Sequence, residues 1–535
     1  MIRFFALCAS ALVAIAPAYA AAPPASAPAA ASVTQNYKIP YPVAKVPPDA
    51  SPALRREIKK GEYLTKISDC MACHTDHDQT SIEGKPFAGG LPITTPFGII
   101  YSRNITPDTE TGIGAWTFQQ FDDAVRYGKS PQGYLFAAMP YNYYNAMSRA
   151  DVLAIWEFLK RVPAVHAEDK PLDMMPPFSW RWLQFGWQFL FFRPAKDTFK
   201  PDRDHSAEWN RGRFIVEGPE HCGACHTAHN FLGGAAARFA RTGSSITGMW
   251  APNISAFATD PHSVQAITEV FTNARGLGGG TLAGPMLDAI SNSMHFMTPA
   301  DMRAVAIYLR SVKSELPPSV SQVPARDVDL KVGAQIYNGH CAACHASGVG
   351  GAPRVGNARD WAALEKTPMI ILYENVWHGV SLMPPKGGCN DCTAKELSSA
   401  MTYMLQQSRT GTKASEAASA KTPVAASAGA PGNVVSLALG EKIYAAHCSA
   451  CHASGVAGAP VYSNSADWAP RIAQGLDSLY QHATHGLGAM PPKGGCTDCT
   501  ESQIESAVDY MVTGSGGKAE VQKALEQSQQ QGSSP

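Results

Sequence analysis

The stretch Cys-Met-Ala-Cys-His at residues 70–74 decides the fold of this chain, together with three further Cys-X-X-Cys-His stretches at residues 222–226, 341–345 and 448–452. Two thiols at this spacing can form thioether bonds to the two vinyl groups of one haem, and the adjacent histidine can bind the haem iron. The pattern should arise by chance only about 0.01 times in a chain of this composition. Four copies therefore predict four covalently bound haems c.

Each motif supplies two attachment residues and one iron ligand to its predicted haem. The covalent bonds are predicted at Cys70, Cys73, Cys222, Cys225, Cys341, Cys344, Cys448 and Cys451. The iron ligands on one side of the haems are predicted to be His74, His226, His345 and His452.

A methionine is the expected ligand on the other side of each iron. A thioether sulfur raises the reduction potential and limits reaction with oxygen, as an electron carrier requires. Met383 and Met490 are each followed by two prolines, and Met139 lies in Ala-Met-Pro-Tyr. In the second haem site we predict Met286, with an unligated iron or His295 as alternatives. Nearby competitors are Met294, Met297 and Met302, of which Met302 resembles a core residue.

The N-terminus predicts export. Residues 1–20 combine a positive start, an apolar run and Ala-Tyr-Ala, which is typical of a cleaved signal peptide. Residues 21–47, rich in alanine and proline, follow as a tether. The periplasm is the expected compartment, because haem c is attached outside the bacterial cytoplasm. That compartment also permits disulfides.

Two further Cys-X-X-Cys pairs lack the histidine. Cys389 and Cys392 form the first pair, Cys496 and Cys499 the second, and a threonine follows each. An oxidising compartment favours a local disulfide within each pair over free thiols or a shared zinc site.

The composition argues against nucleic acid and against a spanning helix. The formal net charge is zero and charged residues make up 16% of the chain. After the signal peptide no apolar run reaches the 18 residues that a membrane span needs. The aromatic segment 178–192 is too short to span, and we predict a buried helix between two haem domains there. The alternative is a helix that contacts a membrane surface or a partner.

Apolar periodicity predicts a closing helix after each haem motif. These helices are expected at 151–159, 301–309, 396–405 and 501–512. A glycine early in each opening helix would let the closing helix and its aromatic residue approach closely. The glycines are Gly61, Gly212, Gly333 and Gly440, and the aromatic residues are Phe158, Tyr308, Tyr403 and Tyr510.

Two families are recognisable by this point. Residues 50–313 resemble the cytochrome c subunit of membrane-bound, quinone-linked alcohol, aldehyde and gluconate dehydrogenases and the cytochrome partners of nicotinate-dehydrogenase-type molybdenum hydroxylases, for example in Tyr101–Asp108 and Trp209–His226. Residues 327–410 and 435–515 resemble cytochrome c5, whose Met-Pro-Pro-Lys-Gly-X-Cys-X-X-Cys signature supports both disulfides. The resemblance carries the four methionine ligands onto the positions named above. Dehydrogenase cytochromes typically have three haems, and here two c5-like domains replace the third.

The expected fold is all-α, with four class I cytochrome c-like domains in tandem, each around one covalent haem. We call them units 1 to 4, at 48–165, 208–313, 327–410 and 435–515. Between and after them we predict an aromatic-rich connector at 166–207, linkers at 314–326 and 411–434, and a polar tail at 516–535.

The resemblance implies a periplasmic electron-transfer subunit with no catalytic residues of its own. It would accept electrons from a dehydrogenase catalytic subunit and pass them to quinone, a soluble cytochrome or a terminal oxidase, with peripheral membrane contact through 178–192. The alternative is a self-sufficient haem enzyme of peroxidase or thiosulfate-oxidising type, with one open or switchable iron. A cytochrome oxidase subunit would require a membrane span.

Overall fold

The computed structural model describes residues 40–77, 84–194, 199–230, 232–246, 249–316, 327–418, 436–444, 448, 452, 459–485, 490, 492–496 and 499–523. Several predictions fall outside these residues. They are the signal peptide at 1–20, residues 21–39 of the tether, 317–326 and 419–434 of the two linkers, 524–535 of the tail, and Cys451.

Helices dominate the described chain. Unit 1 contains α1 (Pro52–Lys66), α2 (Cys70–Cys73), α3 (Phe118–Tyr127), α4 (Tyr141–Tyr144) and α5 (Arg149–Leu159), and the connector contains α6 (Leu183–Phe191). Unit 2 contains α7 (Ala207–Glu217), α8 (Gly223–His226), α9 (Ala256–Thr259), α10 (Val264–Asn273), α11 (Gly284–Asn292) and α12 (Pro299–Leu309). Unit 3 contains α13 (Leu330–Ile336), α14 (Ala342–His345), α15 (Ala358–Trp361), α16 (Met369–His378) and α17 (Ala394–Ala418). Unit 4 contains α18 (Leu437–Ile443), α19 (Ser465–Ile472), α20 (Leu476–His485) and α21 (Glu501–Gly514).

Short antiparallel strands, which the all-α prediction did not include, accompany the helices of units 1 and 2. They are β1 (Pro92–Thr95), β2 (Gly98–Tyr101), β3 (Lys129–Ser130), β4 (Gly133–Tyr134), β5 (Asp173–Met174), β6 (Ser244–Ile246) and β7 (Met249–Ala251). β1 pairs with β2 and β2 with β5, while β3–β4 and β6–β7 are separate hairpins. Because β5 lies in the connector, this sheet fastens the connector to unit 1.

One helix crossing recurs in all four units. It pairs α1 with α5, α7 with α12, α13 with α17, and α18 with α21. At each crossing a glycine faces a backbone carbonyl of the closing helix, as predicted. A Cβ placed on Gly61 would lie 1.8 Å from the Ala154 oxygen, and one on Gly212 would lie 1.9 Å from the Ala304 oxygen. The corresponding distances for Gly333 and Gly440 are 2.3 and 1.9 Å, so no side chain fits there.

The closing helices begin two residues before the positions predicted from periodicity, except α21, which begins at the predicted residue. A Ser or Thr N-cap and a carboxylate or amide three residues later form a reciprocal cap, which is typically worth about 1 kcal/mol. The pairs are Ser148 with Asp151, Thr393 with Glu396, and Thr500 with Gln503. In α12 the Thr298 hydroxyl accepts from Asp301 N. The caps, rather than the apolar pattern, set where the helices start.

Two predicted boundaries are wrong. α17 continues to Ala418, eight residues into the range predicted to be a linker. At the other end of unit 4, Val521 lies in the predicted polar tail but is 2% exposed and packs in the core of unit 4. The amino-acid composition of these two segments resembles that of a linker, although the first continues a helix of unit 3 and the second contributes to the core of unit 4.

Units 1 and 2 share one continuous apolar core, which runs from Ile58 to Leu309. A polar cluster at the start of α12 locks the two units together. Asp301 accepts two hydrogen bonds of 2.8 Å from Arg211 and one of 2.5 Å from the Tyr63 hydroxyl of unit 1. These bonds outweigh the effect of burial and lower the pKa of Asp301. The first two units are therefore one structural body. Among the described residues no helix has the length and apolar character needed to cross a membrane.

Candidate functional site

The four haem-motif histidines share one geometry. In each, ring nitrogen Nδ1 donates a hydrogen bond to a backbone carbonyl oxygen: His74 to Arg103 at 2.6 Å, His226 to Pro252 at 2.7 Å, His345 to Pro353 at 2.9 Å, and His452 to Pro460 at 3.0 Å. A bond of this kind fixes the tautomer and leaves Nε2 as the atom that can bind a metal.

Burial favours the neutral imidazole that a metal needs. It lowers the pKa of all four histidines, against the opposing effect of the carbonyl hydrogen bonds. Each motif therefore presents an oriented, uncharged nitrogen next to its attachment cysteines. The residues present fit a haem c, which would supply one-electron chemistry at its iron.

The four carbonyl acceptors were not predicted from the sequence, although repeats mark them. Pro353 and Pro460 each lie eight residues after their histidine, within a repeated Gly-Ala-Pro. Arg103 and Pro252 each precede a repeated Asn-Ile, at Asn104 and Asn253. The Asn side chains accept hydrogen bonds from the backbone N two residues later and hold these turns. Comparison of the repeats could have found the acceptors.

The two kinds of Cys-X-X-Cys pair differ in the structure. Disulfides join Cys389 to Cys392 and Cys496 to Cys499, each with Cα atoms 5.4 Å apart. The six cysteines of the first three haem motifs, by contrast, keep separate sulfurs. Burial raises the pKa of these thiols, to about 12 for Cys70 and about 11 for Cys341. Such thiols are poor nucleophiles, which argues against a thiol-redox role.

A tight turn follows the predicted methionine ligand in units 3 and 4, and in unit 4 it lies close to both that methionine and a haem-motif cysteine. In the turns Pro385–Gly388 and Pro492–Gly495 the lysines have positive φ, 55° and 56°. The Cβ position of Gly494 lies 4.0 Å from both Cys448 Sγ and Met490 Cε, and that of Gly387 lies 3.8 Å from Cys341 Sγ.

The disulfide loops support these turns. Lys386 Nζ donates to the carbonyl oxygen of Cys392 at 3.0 Å, and Lys493 Nζ donates to that of Cys499 at 2.8 Å. The lysine and the disulfide of the repeated signature therefore hold the methionine segment in place together.

The methionines of units 1 and 2 are arranged less regularly. Met139 and Met286 are partly buried at the edge of the shared core. Met286 is the third residue of α11. The competitors Met294, Met297 and Met302 are at least 93% buried within the core. The alternative ligand His295 hydrogen-bonds through Nδ1 to the Ile290 oxygen and packs against the Phe296 ring, with centroids 3.8 Å apart and planes tilted by 39°.

The haem motifs of units 1 and 2 meet at the interface between these units. His221, which precedes Cys222, packs edge-on against Tyr144 with ring centroids 5.5 Å apart. Its Nε2 lies 3.7 Å from an oxygen of Asp69, which precedes Cys70. Burial raises the pKa of Asp69 to about 6 and raises the pKa of the neighbouring Glu220 well above its usual value. Two Cys-X-X-Cys-His motifs whose first cysteines, Cys70 and Cys222, are 152 residues apart in sequence are therefore neighbours in space.

The prediction of a buried helix at 178–192 is wrong. None of the residues of α6 is buried, and the exposed residues Trp180, Trp182, Phe185, Phe189 and Leu190 form what we call the aromatic face. The opposite side of α6 contacts the protein through Trp187, whose Nε1 donates to the Leu232 oxygen at 2.8 Å, and through Gln188, which donates to the Tyr127 oxygen at 3.2 Å. The helix thus turns its more apolar side outward, the reverse of a usual surface helix.

Comparison with known proteins agrees with this geometry. A family model described as cytochrome c oxidase, cbb3-type, subunit III matches residues 328–404 and 436–511. A nicotinate dehydrogenase subunit of Pseudomonas putida is 35% identical over 303 residues, which are 55% of this chain but only 25% of that protein. The cytochrome c subunit of alcohol dehydrogenase (quinone) from Gluconacetobacter polyoxogenes is 33% identical over 364 residues, 63% of this chain and 75% of that subunit. Cytochrome c5 of Ectopseudomonas mendocina is 42% identical over 73 residues, 13% of this chain and 84% of that protein.

The oriented histidines and these matches define a c-type cytochrome, an electron-transfer protein that binds haem c covalently. The chain belongs to the family of cytochrome c subunits that includes the subunit of alcohol dehydrogenase (quinone). The resemblance read from the sequence is confirmed.

Proposed function

We propose that this chain is a periplasmic tetrahaem cytochrome that accepts electrons from a separate dehydrogenase subunit and passes them from haem to haem. The four haem domains correspond to units 1 to 4, with Met139, Met286, Met383 and Met490 opposite the motif histidines. The acceptor is quinone, a soluble cytochrome or a terminal oxidase. The observation that carries the proposal is the bond from histidine Nδ1 to a backbone carbonyl, which recurs in every motif.

The number of haems tests the proposal directly. A pyridine haemochrome assay on the purified protein should find four haems per chain. The double variant Cys341→Ala/Cys344→Ala should carry three, because unit 3 loses both attachment points. The matched variant Cys389→Ala/Cys392→Ala removes the other Cys-X-X-Cys pair of the same unit and should keep four. Fewer than four haems in the unchanged protein would refute the proposal.

The identity of the electron donor is tested by combining the cytochrome with a dehydrogenase subunit and its substrate. In the dehydrogenase relatives the cytochrome is named as a subunit, which supports a partner catalytic subunit for this chain. Co-purification with a dehydrogenase subunit, and reduction of the cytochrome when its substrate is added, would support the proposed role. If the protein were instead a self-sufficient haem enzyme, it should show a high-spin ferric signal, or its reduced form should bind carbon monoxide. The open iron would then be expected in unit 2.

We further propose that the aromatic face of α6 lies on the periplasmic side of the membrane. Trp182 is 65% exposed and Phe189 is 70% exposed. Residues 174–193 contain two arginines and no acidic residue. Aromatic rings next to basic side chains suit the boundary between lipid headgroups and acyl chains, especially with anionic lipids.

Sedimentation with phosphatidylglycerol vesicles tests the membrane contact. The variant Trp182→Ser/Phe185→Ser/Phe189→Ser should bind roughly 100-fold more weakly, because each partly inserted ring contributes about 1 kcal/mol. Phe257→Ser, which removes an exposed ring elsewhere on the protein (41% exposed), is the matched control and should bind normally. If the triple variant and the unchanged protein bound the vesicles equally, the aromatic face would not be the part that contacts the membrane. If the triple variant bound the vesicles normally but no longer bound the dehydrogenase subunit, the aromatic face would be the contact surface for that subunit.

A further inference from the structure

Units 2 and 3 are in contact through a surface that we call the joint. The Trp250 ring stacks on the His378 ring, with centroids 4.0 Å apart and planes 13° from parallel. His262 Nε2 lies 3.1 Å from the Thr367 hydroxyl. Leu364 packs against Gly278, whose Cβ position is 2.9 Å from a Leu364 methyl carbon.

Two backbone contacts complete the joint. Thr281 N donates to the Gly350 oxygen at 3.3 Å. The Ser381 hydroxyl donates to the Thr281 oxygen. Thr281 is therefore held from both sides by unit 3.

The segments in the joint are those that flank the two haem sites. Trp250 lies two residues before Pro252, the acceptor for His226, and Thr281 lies five residues before Met286. In unit 3, Gly350 follows His345 by five residues and Ser381 precedes Met383 by two. The joint thus includes a segment from the histidine side and one from the methionine side of each haem site.

Unit 4 differs from unit 3 at three side chains of the joint. Units 3 and 4 align with an offset of 107 residues, the distance from His345 to His452. Leu364, Thr367 and Ser381 correspond to Arg471, Gln474 and Gly488. An arginine at the position of Leu364 would put a charge where the leucine methyl groups pack against Gly278, and removing that charge from water costs free energy. Unit 4 therefore keeps the haem-site residues of unit 3 and, as His485, the histidine of the ring stack, but not Leu364, Thr367 and Ser381.

We infer that the joint is the electron-transfer junction between the second and third haem sites, with the stacked Trp250 and His378 rings as its bridge. With a haem c held by each unit, the joint would let one electron pass between the two haems: one iron would be oxidised as the other was reduced, and no proton or covalent bond would change. Inside the proposed function, on which this inference rests, the joint makes unit 3 the unit with which unit 2 exchanges electrons directly.

The test gives unit 3 the docking residues of unit 4, in the holoprotein of Leu364→Arg/Thr367→Gln/Ser381→Gly. The backbone amides of residues 275–283 should exchange with solvent faster in this variant. When the joint opens, the Thr281 amide loses its hydrogen bond to the Gly350 oxygen. Flash photoreduction should show electron equilibration between units 2 and 3 slowed by about tenfold, since electron transfer depends steeply on position. Trp250→Ala should slow it similarly, and Trp250→Phe, which can still stack, should restore it.

The control variant Arg471→Leu/Gln474→Thr alters the equivalent positions of unit 4 and should change neither measurement. Unchanged exchange at 275–283 in the triple variant would refute the joint in solution. Faster exchange with an unchanged electron-transfer rate would show that the joint is structural and that electrons take another route. Photoreduction needs no dehydrogenase, and the haem count is measured separately, so failure here is distinguishable from failure of the proposed function.

Discussion

Replacing Met383 or Met490 with alanine should leave all four haems attached but lower the reduction potential of one of them. The thioether bonds do not depend on the methionine, so the haemochrome count stays at four. Axial ligands tune haem potentials over about 0.8 V, and we expect loss of the thioether to lower the potential by on the order of 0.1–0.3 V. The opened iron should also bind carbon monoxide when reduced. A spectroscopic redox titration and carbon monoxide difference spectra measure both effects.

Met404→Ala is the matched control for Met383→Ala. Met404 is a core methionine of the same unit, 6% exposed on α17. Its loss should lower the thermal stability of unit 3, as a core truncation does, but should leave the potential unchanged. An unaltered titration of the Met383→Ala protein would refute the ligand assignment. In unit 2 the same measurements on Met286→Ala and His295→Ala decide between the two candidate ligands.

Gly61→Ala should destabilise the body formed by units 1 and 2. The added Cβ would lie 1.8 Å from the Ala154 oxygen, far inside van der Waals contact, so α1 and α5 must move apart. Overpacking of this kind costs about 3 kcal/mol. For a body of this size we expect the melting temperature, followed by far-UV circular dichroism, to fall by roughly 6–12 °C.

Gly186→Ala provides the comparison within α6, the helix of the connector. No heavy atom lies within 4 Å of the Cβ position of Gly186. Alanine has the higher helix propensity by up to about 1 kcal/mol, so this variant should melt at the same temperature or slightly higher. If the two variants melted alike, close approach at Gly61 would not be the reason for the glycine.

The recurrent helix crossing was largely predictable because its determinants are local. The position of each haem motif, the apolar period of the closing helices and the four glycines all lie in short stretches of sequence. The strands β1 and β2 were missed because they are only four residues long. The end of α17 was missed because Ala/Ser-rich sequence is compatible with both a helix and a linker.

The aromatic segment shows a limit of a different kind. A run such as 178–192 is equally apolar whether protein, lipid or a partner covers it. Only the contacts of Trp187 and Gln188 with unit 2 and unit 1 reveal which side of α6 faces inward. The direction of an amphipathic face is a property of the neighbouring elements, which the segment itself does not specify.

The sequence by itself determined the chemistry of this protein. The spacing of two thiols and an imidazole specifies covalent haem attachment without reference to the rest of the chain. Tertiary structure alone decided how the sites relate to one another. It placed the Cys70 and Cys222 motifs against each other, supplied the carbonyl acceptors of the histidines, and set Trp250 against His378. These are contacts between residues far apart in the chain, and they depend on how the helices pack.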